Sequence, residues 1–412
     1  MKRLSLILAL FVILFVSCSD NKDKNSVDVV ITNPIGVERI DQYVELDLNK
    51  IEGAITNFDK NAFAVMIDGQ AVPAQIIGKD KIGFVVNLAP NEKKTVTVKS
   101  GEAAGPTEFK SRAYAEIAQK VDYEMKDGKY IGGRYQNFDS LRVPDDHIDH
   151  NELYKYEGPG WESDKVGYRM YIDWRNRTDI FGNTTNDLVL KKVGVKDLFA
   201  VTDSYHELQS WGMDVFKVNL TLGIGTYAMY SDTSKVGLVS VESRDSVFVK
   251  IPENGPVLAG VHVDYYGWQV DDKKYDLSSD LSITAGSRLT KADLKITNNP
   301  ECLITGFAKY EGTEFIKGTS SEGWNYIGLY GTQSLNNDDL GIALFYNNNG
   351  LIKQTEDDAN YIVELKPQDE KVQYYFCAAW EKEPNGIKNI DEFKEYLELV
   401  NSELNNPVKI EY

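Results

Sequence analysis

Residues 132–182 concentrate side chains that are scarce elsewhere in the chain and capable of chemistry. The stretch reads GGRYQNFDSLRVPDDHIDHNELYKYEGPGWESDKVGYRMYIDWRNRTDIFG and holds two of the four histidines, five of the ten arginines, two tryptophans and five tyrosines. Arginine binds carboxylates through a planar fork, and an indole offers a flat, rigid face to a sugar ring. This composition predicts a pocket for an anionic, ring-shaped ligand.

The run 166–176 is the most specific part of the predicted pocket. As a strand with a side-chain period of two, it places four polar residues on one face: Arg169, Tyr171, Asp173 and Arg175. Two arginines beside hydrogen-bonding partners form a carboxylate-binding wall, and Arg134 is a further substrate-binding candidate. The alternative is a solvated face with an internal arginine–aspartate pair.

Three histidines are the acid–base candidates. His147 and His150 lie in the run DDHIDHNE, and His206 follows Tyr205. An H-x-x-H spacing without a helix or a remote third ligand is a weak metal signal, so a divalent metal is the less favoured alternative and no cofactor is expected. We expect catalysis by His147, His150 and His206, with Tyr168 or Tyr205 as a partner.

Four more residues are candidates for substrate binding, each with an open alternative. Trp161 follows the tight Gly-Pro-Gly turn and either stacks on a sugar or anchors a loop. Trp211 belongs with it as a stacking residue, and Asp214 either orients a histidine or binds a sugar hydroxyl. His262 alternates with apolar residues along a strand, so it points either into the cleft or into a core.

The first residues predict export and a lipid anchor. Lys2 and Arg3 precede an apolar run, 4–16, that is too short to span a bilayer, and the run ends in a small residue followed by Cys18. This pattern resembles a bacterial lipobox, with 1–18 as signal peptide, Cys18 as the lipidated residue and 19–26 as a polar tether. The alternative is a plain signal peptide. We expect a cell-envelope protein anchored by lipid.

Charge and glycine patterning argue against two classes of partner. The net charge is −18, and loss of Lys2 and Arg3 with the signal peptide makes it −20. Such a field repels nucleic acid, which is therefore an unfavoured partner. Gly223 and Gly225 lack the strand–glycine–helix context of a dinucleotide site, so no nucleotide cofactor is expected.

Cys302 and Cys377, outside any metal-like spacing, are expected to be structural, whether free or paired.

The elements that must position these residues are strands. The segment 27–107 has short strand-like runs separated by turn signals, which predicts a small β-sandwich module: 27–31, 43–47, 62–66 and 82–86. Residues 108–412 predict a large antiparallel β-sandwich, with strand-like runs at 215–220, 259–265, 281–284, 294–296, 342–346, 361–365 and 372–379. One helix is expected after Asn389, with Glu392 at the capping-box position. The predicted class is mainly β with a C-terminal helix.

Two long runs resemble a known family. EGPGWESDKVGYRMYIDWRNRTDIFG and YHELQSWGMDVFKVNLTLGIG, together with the ending YYFCAAWEKE and its helix, resemble the family catalogued as domain of unknown function 4861. The resemblance covers nearly the whole mature chain. It implies a lipoprotein or secreted protein of polysaccharide-degrading bacteria, a galactose-mutarotase-like supersandwich, and dehydratase or lyase chemistry on uronate-bearing oligosaccharides.

The predicted residues match that chemistry on their own terms. Elimination beside a uronate carboxylate needs a cation that neutralises the carboxylate, a base that removes the adjacent proton, and an acid that protonates the leaving oxygen. Arginine suits the first role, and histidine and tyrosine suit the others. A glycoside hydrolase would instead use paired carboxylates among Glu157, Glu162, Asp173 and Asp214. A non-catalytic glycan-binding lipoprotein would use Trp161, Trp174 and Trp211 as a stacking platform.

Overall fold

The computed structural model describes residues 25–101, 109–195, 204–232 and 237–412. Cys18, the predicted signal peptide and most of the predicted tether lie outside the described residues. In the described part of the chain, no helix is both long and apolar enough to cross a membrane.

The N-terminal module is a sandwich of two small antiparallel sheets. Its elements are β1 (Ser26–Thr32), β2 (Arg39–Asp47), α1 (Leu48–Ala54), β3 (Phe63–Ile67), β4 (Gln70–Val72), β5 (Ala74–Ile77), β6 (Lys81–Leu88) and β7 (Lys93–Ser100). Alternating apolar side chains such as Val29, Ile31, Phe84 and Val96 fill its core. All four strand runs predicted here are confirmed, whereas α1, whose N-cap is Asp47, was missed.

The described residues between 109 and 232 form eleven more strands. They are β8 (Ala113–Glu116), β9 (Ala118–Val121), β10 (Glu124–Lys126), β11 (Lys129–Ile131), β12 (Arg134–Asn137), β13 (Ser140–Arg142), β14 (Gly160–Ser163), β15 (Val166–Met170), β16 (Thr178–Asn183), β17 (Gly212–Asp214) and β18 (Met229–Tyr230). Three short 3-10 helices lie between them, at Lys155–Glu157, Leu190–Lys192 and Ser204–His206.

The second part is more regular. Its elements are β19 (Leu238–Val239), β20 (Ser246–Asn254), β21 (Leu258–Val270), β22 (Lys273–Thr284), β23 (Leu289–Ile296), β24 (Leu303–Ala308), β25 (Thr313–Lys317), β26 (Trp324–Thr332), β27 (Asp339–Asn347), a 3-10 turn at Asn348–Gly350, β28 (Leu351–Glu356), β29 (Asn360–Leu365), β30 (Lys371–Trp380), α2 (Ile390–Asn405) and β31 (Lys409–Glu411). The predicted mainly β class with a C-terminal helix is confirmed.

Two large antiparallel sheets pack face to face to form the main core. One has nine strands in the order β13-β20-β21-β22-β23-β30-β27-β26-β25, and the other has five in the order β17-β16-β15-β14-β8. Side chains such as Val261 and Leu281 of the first sheet meet Trp161, Tyr168 and Met170 of the second. Every second residue of a strand points inward, so each sheet keeps an outer face on which polar residues can lie.

Helix α2 packs on the outer face of the nine-stranded sheet, as its apolar stripe predicts. Phe393 and Leu397 lie in a cluster with Ala343 and Phe345 of β27. The side chain of Asn389 accepts a hydrogen bond from the backbone N of Glu392 (2.9 Å), which completes the predicted cap.

Two features of the topology differ from the sequence prediction. The run 215–220 is not a strand: β17 ends at Asp214, and the buried Val215 and Phe216 enter the core as the chain turns at Asn219, whose φ is 50°. In addition, β31 returns to the N-terminal module and pairs with β1. Cys302 and Cys377 are separate free thiols, and burial raises the pKa of Cys377 to about 12.

Candidate active site

Three neighbouring strands bring distant residues together on the outer face of the five-stranded sheet. Arg169 of β15 lies directly opposite Asp179 of β16, and Phe181 of β16 lies opposite Asp214 of β17. Residues 169 and 214 are far apart in sequence, but strand pairing places them side by side. The strand predicted at 166–176 is only partly confirmed: β15 ends at Met170, and Trp174 and Arg175 lie in the turn that follows. Arg169 faces outward by strand alternation, whereas Arg175 reaches the site from the turn.

A fully buried charge cluster forms the floor of the site. The Arg169 guanidinium, 2% exposed, donates from Nη2 to Asp179 Oδ2 (2.7 Å) and to Asp214 Oδ2 (2.6 Å). The Tyr171 hydroxyl donates to Asp179 Oδ2 (2.6 Å). Burial, followed by the nearby Asp214 carboxylate, raises the pKa of Asp179 to about 6. One guanidinium therefore holds two carboxylates in a site closed to water.

A second arginine lies above this floor, nearer to solvent. Arg175 Nη2 contacts Glu157 Oε1 (2.8 Å) and Asp173 Oδ2 (2.5 Å), and its guanidinium lies 4.0 Å from the Tyr171 ring centroid. Burial opposes ionisation of Glu157, but Arg169 and Arg175 outweigh it and lower the pKa of that carboxyl below its ordinary value. Glu157 is therefore an anion at neutral pH and connects the two arginines.

His206 lies at the mouth of the site, backed by a buried carboxylate. Its Nδ1 lies 3.3 Å from Asp214 Oδ2, while 51% of the side chain is exposed. The hydrogen bond to Asp214, which outweighs partial burial, raises the pKa of His206. Its ring also packs on Tyr205 at 4.3 Å between centroids. This pairing holds one ring nitrogen and leaves the other for a ligand.

His150 stands near the other side of the Arg175–Glu157 pair. Its Nδ1 lies 2.9 Å from Asp149 Oδ2, and its Nε2 lies 3.8 Å from Glu157 Oε1. The indole of Trp174, 43% exposed, donates to the other oxygen of Asp149 (2.9 Å). Trp174 thus presents an aromatic surface beside an exposed, carboxylate-backed histidine.

The backbone of this loop is strained. Residues His150, Glu152, Tyr156 and Glu157 all have positive φ, with values of 57°, 65°, 42° and 70°. Non-glycine residues rarely adopt such angles, and clusters of them persist where the surrounding structure fixes a functional geometry. The following Gly158 is required by close approach, since a Cβ there would lie 1.9 Å from the Met170 carbonyl oxygen.

A separate buried network supports the loop from behind. Glu116 accepts hydrogen bonds from Lys155 Nζ (2.7 Å), the Tyr156 hydroxyl (2.7 Å) and the Tyr114 hydroxyl (2.7 Å). Glu162, which was considered as a hydrolytic carboxylate, is fully buried and accepts from backbone N–H groups of residues 189 and 190; burial raises its pKa to about 8. Neither carboxylate reaches the surface on which His206 and His150 stand.

The structure corrects two predictions on the inner face of β14 and β15. Tyr168 is fully buried, where its hydroxyl donates to the Arg288 carbonyl (2.7 Å) and accepts from the Ala378 N–H (2.9 Å). Trp161 is also fully buried, and its indole donates to Thr290 Oγ1 (2.8 Å). The period-two alternation that turns Arg169 outward turns both of these side chains into the core, so neither can touch a ligand.

Other predicted residues lie at the edge of the site or away from it. Trp211 is buried against Phe181, with ring centroids 6.2 Å apart, so it supports the site rather than stacking on a ligand. His147 packs edge-on against Tyr154, and its pKa is lowered, chiefly by burial. Arg134 on β12 lies beside Asp122 (3.6 Å), and among the described residues it makes no contact with the Arg169 cluster.

His262 is on the opposite sheet. It lies on the outer face of β21, with Nδ1 2.7 Å from Asp280 and Nε2 3.0 Å from Asp264. The hydrogen bond to Asp280 is the main reason that its pKa is raised to about 9. Its prediction as part of the same cleft is therefore wrong.

The sequence prediction missed Asp179 and Asp149. Asp179 follows the turn RNRT and lies opposite Arg169 in a short hairpin, so a hairpin reading of 166–183 would have paired the two residues. Asp149 was noted only as part of a carboxylate-rich run, although it holds both His150 and Trp174. Among the described residues, no group of three or more histidines, cysteines and carboxylates is arranged to hold a metal ion.

Comparison with known families shows that one family model covers nearly all of the described chain. The model of the family described as domain of unknown function (DUF4861) matches residues 31–410. The chain belongs to this family. Among curated proteins, none matches the sequence significantly.

Solved structures share the fold at low identity. An alpha-mannosidase from Enterococcus faecalis V583 superposes with a TM-score of 0.50 and 10% identity, over 94% of this chain and 46% of that one. A glycosyl hydrolase family 38 protein from Enterococcus faecalis gives the same TM-score and identity over 94% and 47%. This chain spans less than half the length of either protein, and the likeness shows a common fold.

Proposed function

We propose that this protein is a carbohydrate-active carbon–oxygen lyase that acts on oligosaccharides containing uronic acid, by loss of water or cleavage of a glycosidic bond. One observation carries the proposal. The side chain of His206 is half-exposed and contacts the buried Asp214 carboxylate. Arg169 contacts both Asp214 and Glu157, and Glu157 in turn lies beside His150. The proposal follows from two carboxylate-backed imidazoles beside a cation, which is the set that β-elimination needs.

The roles follow from exposure. We assign Arg175 to the substrate carboxylate, because its side chain is 15% exposed against 2% for Arg169, although Glu157 and Asp173 already pair with it. We assign His206 to the removal of the proton on the adjacent carbon. The electron pair of that C–H bond forms the new double bond as the neighbouring carbon–oxygen bond breaks. His150 donates a proton to the departing oxygen, which leaves as water or as the hydroxyl of the released sugar.

Arg169 receives a different role from the one predicted. It was expected to hold the substrate carboxylate together with Arg175. Its guanidinium is 2% exposed and already bonded to Asp179 and Asp214. We therefore assign Arg169 as a positioning residue, which fixes Asp214 under His206.

The carboxylates favour this reaction over glycoside hydrolysis. A hydrolase needs one accessible carboxylic acid with a raised pKa and a second accessible carboxylate. Asp179 and Glu162 have raised pKa values, about 6 and about 8, but they are 1% and 0% exposed. Glu157, at the edge of the site, has a lowered pKa and is paired with Arg175. The hydrolytic activity named for the two Enterococcus proteins is therefore the second candidate.

We propose that this reaction takes place in the cell envelope. The sequence Leu4–Cys18 supports export and lipidation, and a lipid-anchored enzyme would meet oligosaccharides outside the cytoplasm. Palmitate labelling of the wild-type chain and of Cys18→Ala in a bacterial host would test the anchor separately from the reaction.

The deciding experiment compares wild type with His206→Ala and His150→Ala on uronate oligosaccharides. We expect wild type to generate the ultraviolet absorbance of an unsaturated uronate, and each variant to lose about 10²- to 10⁴-fold in rate, the usual contribution of a general acid or base. Arg142→Ala, a surface change at a residue that pairs with the exposed Asp145, is the control. Circular dichroism checks folding.

Three outcomes separate the alternatives. Wild-type rates in both histidine variants would remove the assignment. Release of reducing ends without an ultraviolet change would favour hydrolysis, and binding in calorimetry without any product in mass spectrometry would favour a glycan-binding protein. For the lyase itself, mass analysis separates loss of water, which keeps the chain length, from cleavage.

A further inference from the structure

A row of polar residues crosses the outer face of the nine-stranded sheet. The Arg169 cluster lies on the other sheet of the sandwich. Strand register aligns one residue on each of seven adjacent strands: Lys250, His262, Asp280, Asp293, Gln373, Asn347 and Trp324. Tyr346 pairs with Tyr374, so the next residues along these antiparallel strands, Asn347 and Gln373, lie opposite each other. The neighbours of the row along each strand, such as Val261 and Leu281, point into the core. Six strand spacings of about 4.8 Å make the row roughly 29 Å long.

A recess runs along most of the row. A cavity of about 700 Å³ is lined by Asp280, Asp293, Gln373, Asn347 and Trp324 together with Lys371. A solvated sheet face also carries polar side chains, but it needs neither a recess nor a partly buried indole at its end. The recess and the indole distinguish this surface from an ordinary outer face.

The side chains of the row are held in place before any ligand arrives. The Gln373 amide donates to Asp293 (2.5 Å), which also pairs with Lys291 (2.8 Å), and Asp280 contacts His262 (2.7 Å). Asp280 and Asp293 remain 58% and 42% exposed, so free lone pairs face solvent. Fixed side chains lose little conformational entropy on binding, which favours recognition of a flexible ligand.

Trp324 is fixed as firmly. Its ring packs edge-on against Tyr375, with centroids 5.1 Å apart, and its backbone N–H donates to Asn405 Oδ1 of α2 (2.8 Å). The indole therefore borders the recess at a set angle. A rigid aromatic face next to carboxylate and amide groups matches a ring with an apolar face and a hydroxyl-bearing edge.

We propose that this row is a second binding site, and that it takes a hydroxyl-rich sugar chain. Carboxylates accept from sugar hydroxyls, amides donate to them, and Trp324 stacks on a terminal ring. The net charge of −18 argues against nucleic acid, and among the described residues the row contains no group of three or more histidines, cysteines and carboxylates arranged to hold a metal ion. The site would hold a long chain on the sheet opposite the proposed catalytic residues, whether or not those residues turn the chain over.

Native gels that contain mannan, xyloglucan, laminarin or arabinoxylan test the site, because these polymers are uncharged and are not repelled by the exposed Asp280 and Asp293. We expect at least one polymer to retard the wild-type protein, and Trp324→Ala to raise the apparent Kd about tenfold, as loss of an aromatic anchor does. Gln373→Ala combined with Asn347→Ala is a second variant, which decides the question if Trp324→Ala does not fold. Phe315→Ala, at an aromatic residue that is 38% exposed on the edge strand β25, is the matched control and should be retarded like wild type.

The outcomes distinguish this site from the proposed active site. Retardation that is lost in the row variants and kept in His206→Ala supports the row. Retardation that is lost in His206→Ala and kept in the row variants overturns it, as does the absence of retardation of wild type by all four polymers. Ultraviolet detection of product is measured separately, so loss of one activity does not imply loss of the other.

Discussion

The outer faces of the two sheets differ in how far their charged side chains are exposed to solvent. On the five-stranded sheet, Arg169 and its carboxylates are buried, and the adjoining loop has strained backbone. On the nine-stranded sheet, Asp280 and Asp293 are open to solvent on long, regular strands. Burial makes electrostatic interactions strong and costly to break, whereas exposure leaves them weak and adaptable. The first face therefore suits proton transfer, and the second suits binding.

Removing the buried cation is the strongest test of this difference. Arg169→Met leaves Asp179 and Asp214 buried without their shared partner, so we expect the free energy of unfolding to fall by about 3–5 kcal/mol. Urea denaturation followed by circular dichroism measures the loss. Arg142→Met, at an exposed ion pair, should change it by less than about 0.5 kcal/mol. Equal losses in the two variants would contradict the contrast between the faces.

Neutralising the carboxylate behind His206 tests the catalytic assignment through pH. As a base, His206 must be neutral, so activity should rise as pH passes its pKa, which the hydrogen bond to Asp214 raises. Asp214→Asn removes that charge and should move the acidic limb of the rate profile to lower pH, with a loss of about 10- to 100-fold in kcat/KM.

The control for this shift is Asp145→Asn, at an exposed carboxylate that pairs with Arg142. Its acidic limb should stay where the wild-type limb lies. A limb that does not move in Asp214→Asn would show that another group titrates in the reaction.

The exposed face should give the smallest effect. The pKa of His262 is raised to about 9 by Asp280 and Asp264, so the stability it contributes is present in full below its unfolded pKa, near 6.5, and is lost as pH rises through about 9. We expect His262→Gln to cost on the order of 1 kcal/mol at pH 6, since solvent screens the pair, and nearly nothing at pH 10. Urea denaturation at the two values measures this; a cost that grows with pH would refute it.

Local patterns in the sequence predicted much of the fold. Strand-like runs between turn signals identified all or part of many long strands, such as β2, β21 and β30, but they missed β7, β20 and β26. The cap at Asn389 and the apolar stripe after it identified α2. The prediction of a strand at 215–220 was wrong, because a run of apolar residues can equally form an irregular segment that enters the core.

The candidate site was predicted in its residue types but only partly in its members. Strand alternation correctly placed Arg169 on the outer face, but Arg175 comes from the turn after β15 and meets Arg169 at Glu157. His150 and His206 join them through carboxylates. Trp161 and Tyr168 were misassigned, since aromatic residues near a site and aromatic residues in a core look alike in sequence. His262 was misassigned because nothing local reveals which sheet a strand joins.

The sequence by itself determined the mainly β class, the C-terminal helix and the chemistry of the side chains available, because these depend on neighbours along the chain. Tertiary structure alone decided that Asp179 and Asp214 share one guanidinium, that His206 stands over one of them, and that His262 faces away on the other sheet. Those facts depend on which strands pair and in what register, and strand pairing joins residues whose separation in sequence carries no signal.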